Sequence, residues 1–179
     1  FRVGSALAIL SSAINPNIVL EVTSKATSSL WVMLVGESST TFKSTVITDA
    51  EKLMFEAGMQ DVKLADDFSP ERVQNAISER DGKPNIFIHK DVAGFMQNLS
   101  SDNSRGLSNI LIRNWDGDGF KKELVGRDNK SKTDEHGNSY REPEVYKADS
   151  PHLSSLVGIQ NDRFKVVNQK LSNDGYLLR

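Results

Sequence analysis

Apolar and polar positions along the chain follow two patterns, short apolar runs and longer stretches with helical spacing. The run Trp31–Val35 is apolar throughout and is typical of a strand buried on both faces. Other runs predict core strands at residues 61–65, 85–89 and 153–157, and a short strand at 18–22. Helical spacing predicts helices at residues 3–14, 43–57, 71–80, 92–99, 108–115 and 162–171.

The alternation of these strands and helices predicts an α/β fold. Strands connected through helices form parallel sheets with right-handed connections, so we expect three layers, with helices on both faces of a mostly parallel sheet. Two more strands, at residues 120–127 and 140–148, flank a charged, mobile loop and predict an inserted β-hairpin. We expect residues 1–179 to form a single domain that is a piece of a longer chain.

The first core strand leads into a stretch with the layout of a phosphate-binding P-loop. Gly36 ends the strand, a loop of small residues follows, and Lys43-Ser44 opens the next helix. Backbone N–H groups of such a loop surround phosphate oxygens, and the helix N-terminus adds a partial positive charge. Lys43 would reach the β- and γ-phosphates, and the Ser44 hydroxyl would bind Mg²⁺. The candidate nucleotide-binding residues are Gly36, Ser38, Ser39, Thr40, Thr41, Lys43, Ser44 and Thr45.

The stretch departs from the usual P-loop pattern, G-x-x-x-x-G-K-[ST], at two points. Six residues separate Gly36 from Lys43. Phe42 occupies the place of the second glycine, where a side chain restricts the backbone and crowds the phosphates. The alternative interpretation is an ordinary strand, turn and helix with a Ser/Thr-rich N-terminal cap.

Two charged residues, Lys90 and Asp91, follow the predicted strand 85–89. In nucleotide hydrolases a buried strand delivers acidic residues to the γ-phosphate, where they hold Mg²⁺ indirectly and polarise the attacking water. Strand periodicity puts Lys90 in the place of the metal-side acid and Asp91 in that of the water-activating acid. We expect Asp91 to face the nucleotide and Lys90 to turn toward another part of the protein. The alternative is a strand end with two solvated charges.

Composition narrows the classes of function. Hydrophobic residues at 37% and charged residues at 26% describe a soluble globular protein, for which we expect a cytoplasmic location and no membrane partner. Cysteine is absent, which excludes disulfides, thiolate metal sites and cysteine catalysis. The three histidines are not spaced as metal ligands, and the apolar run before Asn15 is too short to span a bilayer.

Nucleic-acid contacts are expected to be local, because the net charge of -2 gives no basic signature to the whole chain. The best candidate is the predicted hairpin, whose basic side chains would contact a phosphate backbone. The alternative is a solvated charged loop. The basic residues of this region are Lys121, Lys122, Arg127, Lys130 and Lys132.

Separated segments of the chain occur in an order that resembles a known family. They are residues 31–45, 85–95, 114–118, and 153–163 followed by 174–179. Their order resembles that of a family of P-loop domains of unknown function in plasmid, phage and archaeal replication proteins, related to RecA-like and superfamily 3 helicase ATPases. Residues 153–160 match the family's strand Leu-Ser-x-Leu-x-Gly-x-Gln, and residues 174–179 are similar to its Asp-Gly-Leu-Leu-x-Arg.

The resemblance implies a P-loop NTPase fold with ATP and Mg²⁺ as cofactors. Lys43 and Ser44 would hold the phosphates and Mg²⁺, and Asp91 would be the water-activating acid. Arg179 would complete the site of a neighbouring subunit as an arginine finger, which implies a homo-oligomer. The strand that senses the γ-phosphate would carry Ser154 or Ser155 and Gln160.

Three functions remain open from the sequence. The first is an ATP-binding and hydrolysing motor domain of a replication helicase-like protein, with single-stranded or duplex DNA as a partner. The second is a degenerate P-loop module that binds nucleotide or nucleic acid without turnover, which the departures at Phe42 and Lys90 favour. The third is a nucleotide kinase with the same loop; the absence of an obvious Arg-rich lid argues mildly against it.

Overall fold

The computed structural model describes residues 1–15, 18, 20–21, 25–37, 41–64, 70–99, 105–124, 131–133, 139–141 and 144–171. The helices are α1 Arg2–Ala13, α2 Lys43–Glu56, α3 Pro70–Glu79, α4 Ala93–Leu99, α5 Arg105–Asp116 and α6 Asn161–Leu171, with a 3₁₀ helix at Gln60–Val62. The strands are β1 Leu20–Glu21, β2 Lys25–Ala26, β3 Trp31–Val35, β4 Ile86–His89, β5 Phe120–Leu124, β6 Ser131–Thr133, β7 Ser139–Arg141, β8 Glu144–Ala148 and β9 Ser154–Ile159.

A small parallel sheet of three strands lies at the centre of this mixed α/β fold, in the order β3-β9-β4. Val157 of β9 is aligned with Met33 on one side and with His89 on the other. Strand β9, the last of the three in the chain, thus lies between two strands that precede it. Because all three strands are parallel, they end at one edge of the sheet, and the segments that follow them meet there.

Strand alternation sends apolar side chains to both faces of this sheet. Burial of each large apolar side chain contributes about 1.5–3 kcal/mol, which fixes the helices against the strands. The face covered by α1 and α2 contains Ala8, Ile9, Leu34, Ile47, Ala50, Met54, Ile86, Ile88 and Leu156. The face covered by α3, α4 and α5 contains Val73, Ile77, Phe87, Val92, Ala93, Met96, Leu111, Val157 and Ile159.

The core strand predicted at residues 61–65 does not form. Its first residues form the 3₁₀ helix Gln60–Val62, and the only strand-like pairing described for this stretch is a parallel bridge between Lys63 and Ile86. Leu64 belongs to one hydrophobic cluster and Val62 packs against the other. The alternation of apolar and polar residues in this stretch therefore reflects the burial of Val62 and Leu64 in two different clusters, without a full strand ladder. Ala65 lies outside the described residues.

The predicted hairpin is present as the antiparallel pair of β5 and β8, with Lys122 opposite Tyr146. The loop predicted between its strands, residues 128–139, contains β6, which forms a second antiparallel pair with β7. The loop prediction is wrong for β6 and for Ser139, because strand pairing satisfies their backbone groups locally, whereas Tyr140 and Arg141 of β7 lie in a predicted strand. Arg127 and Lys130 of the candidate nucleic-acid surface lie outside the described residues.

Helix α1 forms where its spacing predicts it, but its larger apolar side chains point outward. Val3, Leu7 and Leu10 are 75%, 49% and 59% exposed. A Cβ atom on Gly4 would lie only 3.1 Å from a methyl group of Val32, so small residues allow α1 to approach the sheet closely. Apart from Ile9, the residues of the inward face are small, so side-chain size contributes to the choice of this face as well as hydropathy. Its buried residues are Ser5, Ala8, Ile9, Ser11 and Ser12.

None of the helices in the described part of the chain combines the length and the hydropathy needed to cross a bilayer.

Candidate functional site

A cleft of ≈ 280 Å³ opens at the edge where the parallel strands end. Its walls are formed by the residues that follow β3, by those that follow β4, and by the end of β9. Open α/β sheets bind ligands outside the carboxyl ends of their strands, and phosphates are predicted from the sequence at this same edge. The predicted site residues that line the cleft are Thr41, Lys43, Ser44, Thr45 and Asp91.

Lys43 is the first residue of α2, and its side chain turns back toward the end of β3. Its Nζ donates hydrogen bonds to the carbonyl oxygens of Gly36 at 2.6 Å and Glu37 at 2.9 Å, and to Thr41 Oγ1 at 3.2 Å. The residue is only 7% exposed. Because these bonds join the strand end to the helix start, Lys43 closes the loop on itself and places a cation at the wall of the cleft.

Phe42, immediately before this lysine, has a left-handed backbone conformation with φ 51° and ψ 22°. Within the described residues it is the one non-glycine residue with a positive φ. Its side chain contributes little to the core, since the residue is 70% exposed. Glycine adopts this conformation freely, whereas a residue with a Cβ is strained in it. The place where the P-loop pattern requires a glycine therefore has the backbone conformation that favours one.

Two glycines allow backbone segments to meet at the cleft. A Cβ atom on Gly36 would lie 2.8 Å from Thr41 Oγ1, inside the loop that Lys43 closes. A Cβ atom on Gly158 would clash with the carbonyl oxygen of Lys90. The Gly158 carbonyl accepts a hydrogen bond from the N–H of Val92 at 2.9 Å. This contact holds the segment after β4 against β9 and positions it beside the cleft.

Asp91 has a partner for each of its carboxylate oxygens. Oδ1 accepts a hydrogen bond from the N–H of Ala93, two residues further on, at 3.1 Å, which forms an Asx turn at the start of α4. Oδ2 accepts one from Nη1 of Arg163 on α6 at 3.2 Å. The two side chains are 43% and 50% exposed, so solvent screens this ion pair and its contribution to stability is small. Its effect is to orient the carboxylate at the cleft.

Lys90 also lines the cleft, and its Nζ lies 3.8 Å from Oε2 of Glu51 on α2. Glu51 uses its other oxygen to accept a hydrogen bond from Lys63 at 2.8 Å. Strand β4 ends at His89, so strand alternation does not determine the side-chain directions of Lys90 and Asp91. Both residues border the same cavity. Which of them would face a bound nucleotide stays a prediction.

The remaining predicted residues have different positions. Gln160 lines the cleft at the end of β9. Ser154 starts the same strand at the opposite edge of the sheet, where its Oγ lies 2.8 Å from Oγ of Ser11. Ser155 is the next residue of β9, so Gln160 alone of the three predicted sensing residues lies near the edge where phosphates are expected. The predicted residues Ser38, Ser39, Thr40 and Arg179 lie outside the described part of the chain.

The fit to Mg²⁺ depends on a bound nucleotide. Among the described residues no group of three or more His, Asp or Glu side chains is arranged to hold a metal ion. Mg²⁺ commonly binds through few protein ligands together with substrate phosphates and water. Ser44, exposed at the start of α2, would supply one such oxygen, whereas the cation of Lys90 in the same cleft opposes metal binding.

Sequence reasoning missed two side chains that shape this site, Arg163 and Glu51. Arg163 belongs to the helix that follows β9, and this helix starts from the same edge as the loop after β3. The sequence does indicate the position of Arg163, because the role predicted for Gln160 places this segment at the same edge. Glu51 gave no such signal, since its contact with Lys90 depends on how α2 packs across the sheet.

The sequence was compared with models of known protein families, with curated proteins and with solved structures, and none of the three comparisons found a significant match.

Proposed function

We propose that this chain binds a nucleoside triphosphate, with the phosphates in the cleft that follows β3. The observation that carries the proposal is the position of the Lys43 ammonium at the edge where three parallel strands end. Its three donors bond to Gly36, Glu37 and Thr41, and phosphate oxygens would take the place of these acceptors. The first N–H groups of α2 lack partners within the helix and favour an anion beside them. Lys90 adds a second cation to the same wall.

The first candidate is a three-layer P-loop NTPase, the ATP-hydrolysing motor domain of a replication helicase-like protein in a cytoplasmic setting. The order of motifs in the sequence and the meeting of Lys43, Ser44 and Asp91 in one cleft support it. Asp91 would position the attacking water, and Ser44 would hold Mg²⁺ with the phosphate oxygens. Single-stranded or duplex DNA would be the partner. Arg179 of a neighbouring copy would complete the site in a homo-oligomer.

The second candidate is a P-loop module that binds a nucleotide without turnover. The specific observation in its favour is that both carboxylate oxygens of Asp91 already accept hydrogen bonds, from Ala93 and from Arg163. An acid engaged in this way is less available to a water molecule than a free carboxylate. The cation of Lys90 in the cleft acts in the same direction, because it competes with Mg²⁺ for the phosphates.

Calorimetric titration with Mg²⁺ and ATP tests the binding proposal. We expect Lys43→Met to weaken binding by about ten- to a hundred-fold, since a charge-assisted contact is typically worth about 1.5–3 kcal/mol. Lys52→Met is the matched control, because Lys52 is an exposed residue of the same helix and the change in charge is identical. The thermal unfolding temperatures of both variants show whether the protein still folds. Equal affinities of Lys43→Met and the parent would refute the proposal.

ATP turnover separates the two candidates. If the chain hydrolyses ATP, Asp91→Asn should lower the turnover by about 10²–10⁴-fold, the usual effect of losing an acid–base or water-positioning group. Stimulation of the parent by single-stranded DNA would support the helicase-like assignment. Tight ATP binding with no measurable turnover, with or without DNA, would instead support the second candidate.

A further inference from the structure

A second cleft lies beside the first, along the start of α6. The second cleft has a volume of ≈ 560 Å³, and it shares Glu37 and Gln160 with the first. Small-molecule sites usually enclose about 300–1,000 Å³, and the first cleft at ≈ 280 Å³ lies at the lower end of this range. A nucleotide whose phosphates contact Lys43 would extend out of this cleft, and the second cleft adjoins it at Glu37 and Gln160.

The two clefts differ in the chemistry of their walls. The first cleft is lined by two cations, Lys43 and Lys90, and by two carboxylates, Glu37 and Asp91, so its charges balance. The second cleft contains the carboxylate of Asp162 in addition to that of Glu37, and a single cation, Lys165. Carboxylates repel phosphate groups but accept hydrogen bonds from hydroxyl and amino groups. The walls of the second cleft therefore suit an uncharged group rich in donors rather than more phosphate.

Apolar and amide groups complete this second cleft. Val166 of α6 is 57% exposed and offers an apolar surface on which an aromatic ring can lie. The side-chain amides of Gln160 and Asn161 each present both a donor and an acceptor, which match the edge of a base. A sugar with hydroxyl groups and a planar base together have these complementary properties.

We infer that the second cleft holds the nucleoside part of the triphosphate, an inference that rests on the proposed phosphate site. The sugar hydroxyl groups donate to the Asp162 carboxylate, and the base lies against Val166. The nucleotide then runs from Lys43, past Glu37 and Gln160, to the first two turns of α6.

The test compares ATP with inorganic tripolyphosphate, which has the phosphates and no nucleoside. Val166→Trp fills the second cleft from an exposed position, and we expect it to weaken ATP binding by about tenfold or more while tripolyphosphate binding changes less than about twofold. Asp162→Ala should weaken ATP binding and keep or strengthen tripolyphosphate binding, because it removes a negative charge. The control is Val145→Trp, on β8 and outside both clefts, which should change neither.

The results separate a failure of the nucleoside site from a failure of the phosphate site. If tripolyphosphate binds in a Lys43-dependent manner and Val166→Trp leaves ATP binding unchanged, the phosphate site stands and the nucleoside site is refuted. An equal loss for both ligands in Val166→Trp also refutes the nucleoside site, since the indole then acts on the phosphate cleft. If the parent binds neither ligand, the proposed function fails and this inference fails with it.

Discussion

Phe42 offers the sharpest test of the loop geometry, because its backbone is left-handed and its side chain is 70% exposed. The left-handed conformation costs a residue with a Cβ about 1–2 kcal/mol, and glycine avoids this cost. Glycine in turn loses about 0.5–1 kcal/mol more than alanine through backbone entropy on folding. We therefore expect Phe42→Gly to be more stable than Phe42→Ala by roughly 1 kcal/mol.

The comparison of glycine with alanine isolates the backbone term. Both variants lose the phenyl ring, so any contact that the ring makes cancels between them. Urea unfolding followed by circular dichroism measures the difference; with a slope of about 1–3 kcal/mol per molar urea, the midpoint of Phe42→Gly should exceed that of Phe42→Ala by roughly 0.3–1 M. Equal slopes are required for this comparison, because a change in slope would indicate a different denatured state.

An alanine variant as stable as the glycine variant would refute the reasoning. Position 42 would then not be left-handed, and the correspondence with the second glycine of a P-loop would lose its structural basis. A glycine variant that is the more stable, and that binds ATP at least as tightly as the parent, would agree with a loop whose geometry suits glycine.

The remaining predictions concern His152 and Gly158. Burial lowers the pKa of His152 from 6.5 to about 4, so the unfolded chain binds a proton at this residue more readily between these pH values. The neutral His152 therefore contributes fully to the stability of the fold above pH 6.5, and the stability falls by up to about 3 kcal/mol as the pH drops toward 4. Urea unfolding at pH 7.5 and 4.5 should show a larger loss for the parent than for His152→Gln, and equal losses would contradict the assignment. Gly158→Ala should destabilise the fold by about 1–3 kcal/mol, because its Cβ meets the Lys90 carbonyl and lies 3.2 Å from Ile47 Cδ1. In the control Gly94→Ala the added Cβ has no neighbour within 4 Å, and a gain of about 0.5–1 kcal/mol is expected in the same assay.

The sequence by itself determined the elements whose signals are local. The apolar run Trp31–Val35 is a strand with the predicted bounds, and α3 begins at Pro70, where a fixed φ suits the first helical position. Gly58 ends α2 with φ +72°, as expected of a glycine after a helix. Each of these outcomes depends on the conformational preferences of a few neighbouring residues, so the pattern was sufficient to predict them.

The tertiary structure decided which segments meet. The position of β9 between β3 and β4 brings Gln160 and Arg163 to the loop that Lys43 closes, and no local pattern specifies that order. The left-handed backbone at Phe42 likewise depends on the closure of this loop around a buried ammonium. Such contacts join residues far apart in sequence, and their free energy comes from burial and hydrogen bonding after the chain has packed. For this reason the sequence predicted the residues of the candidate phosphate site, whereas the packing determined their neighbours.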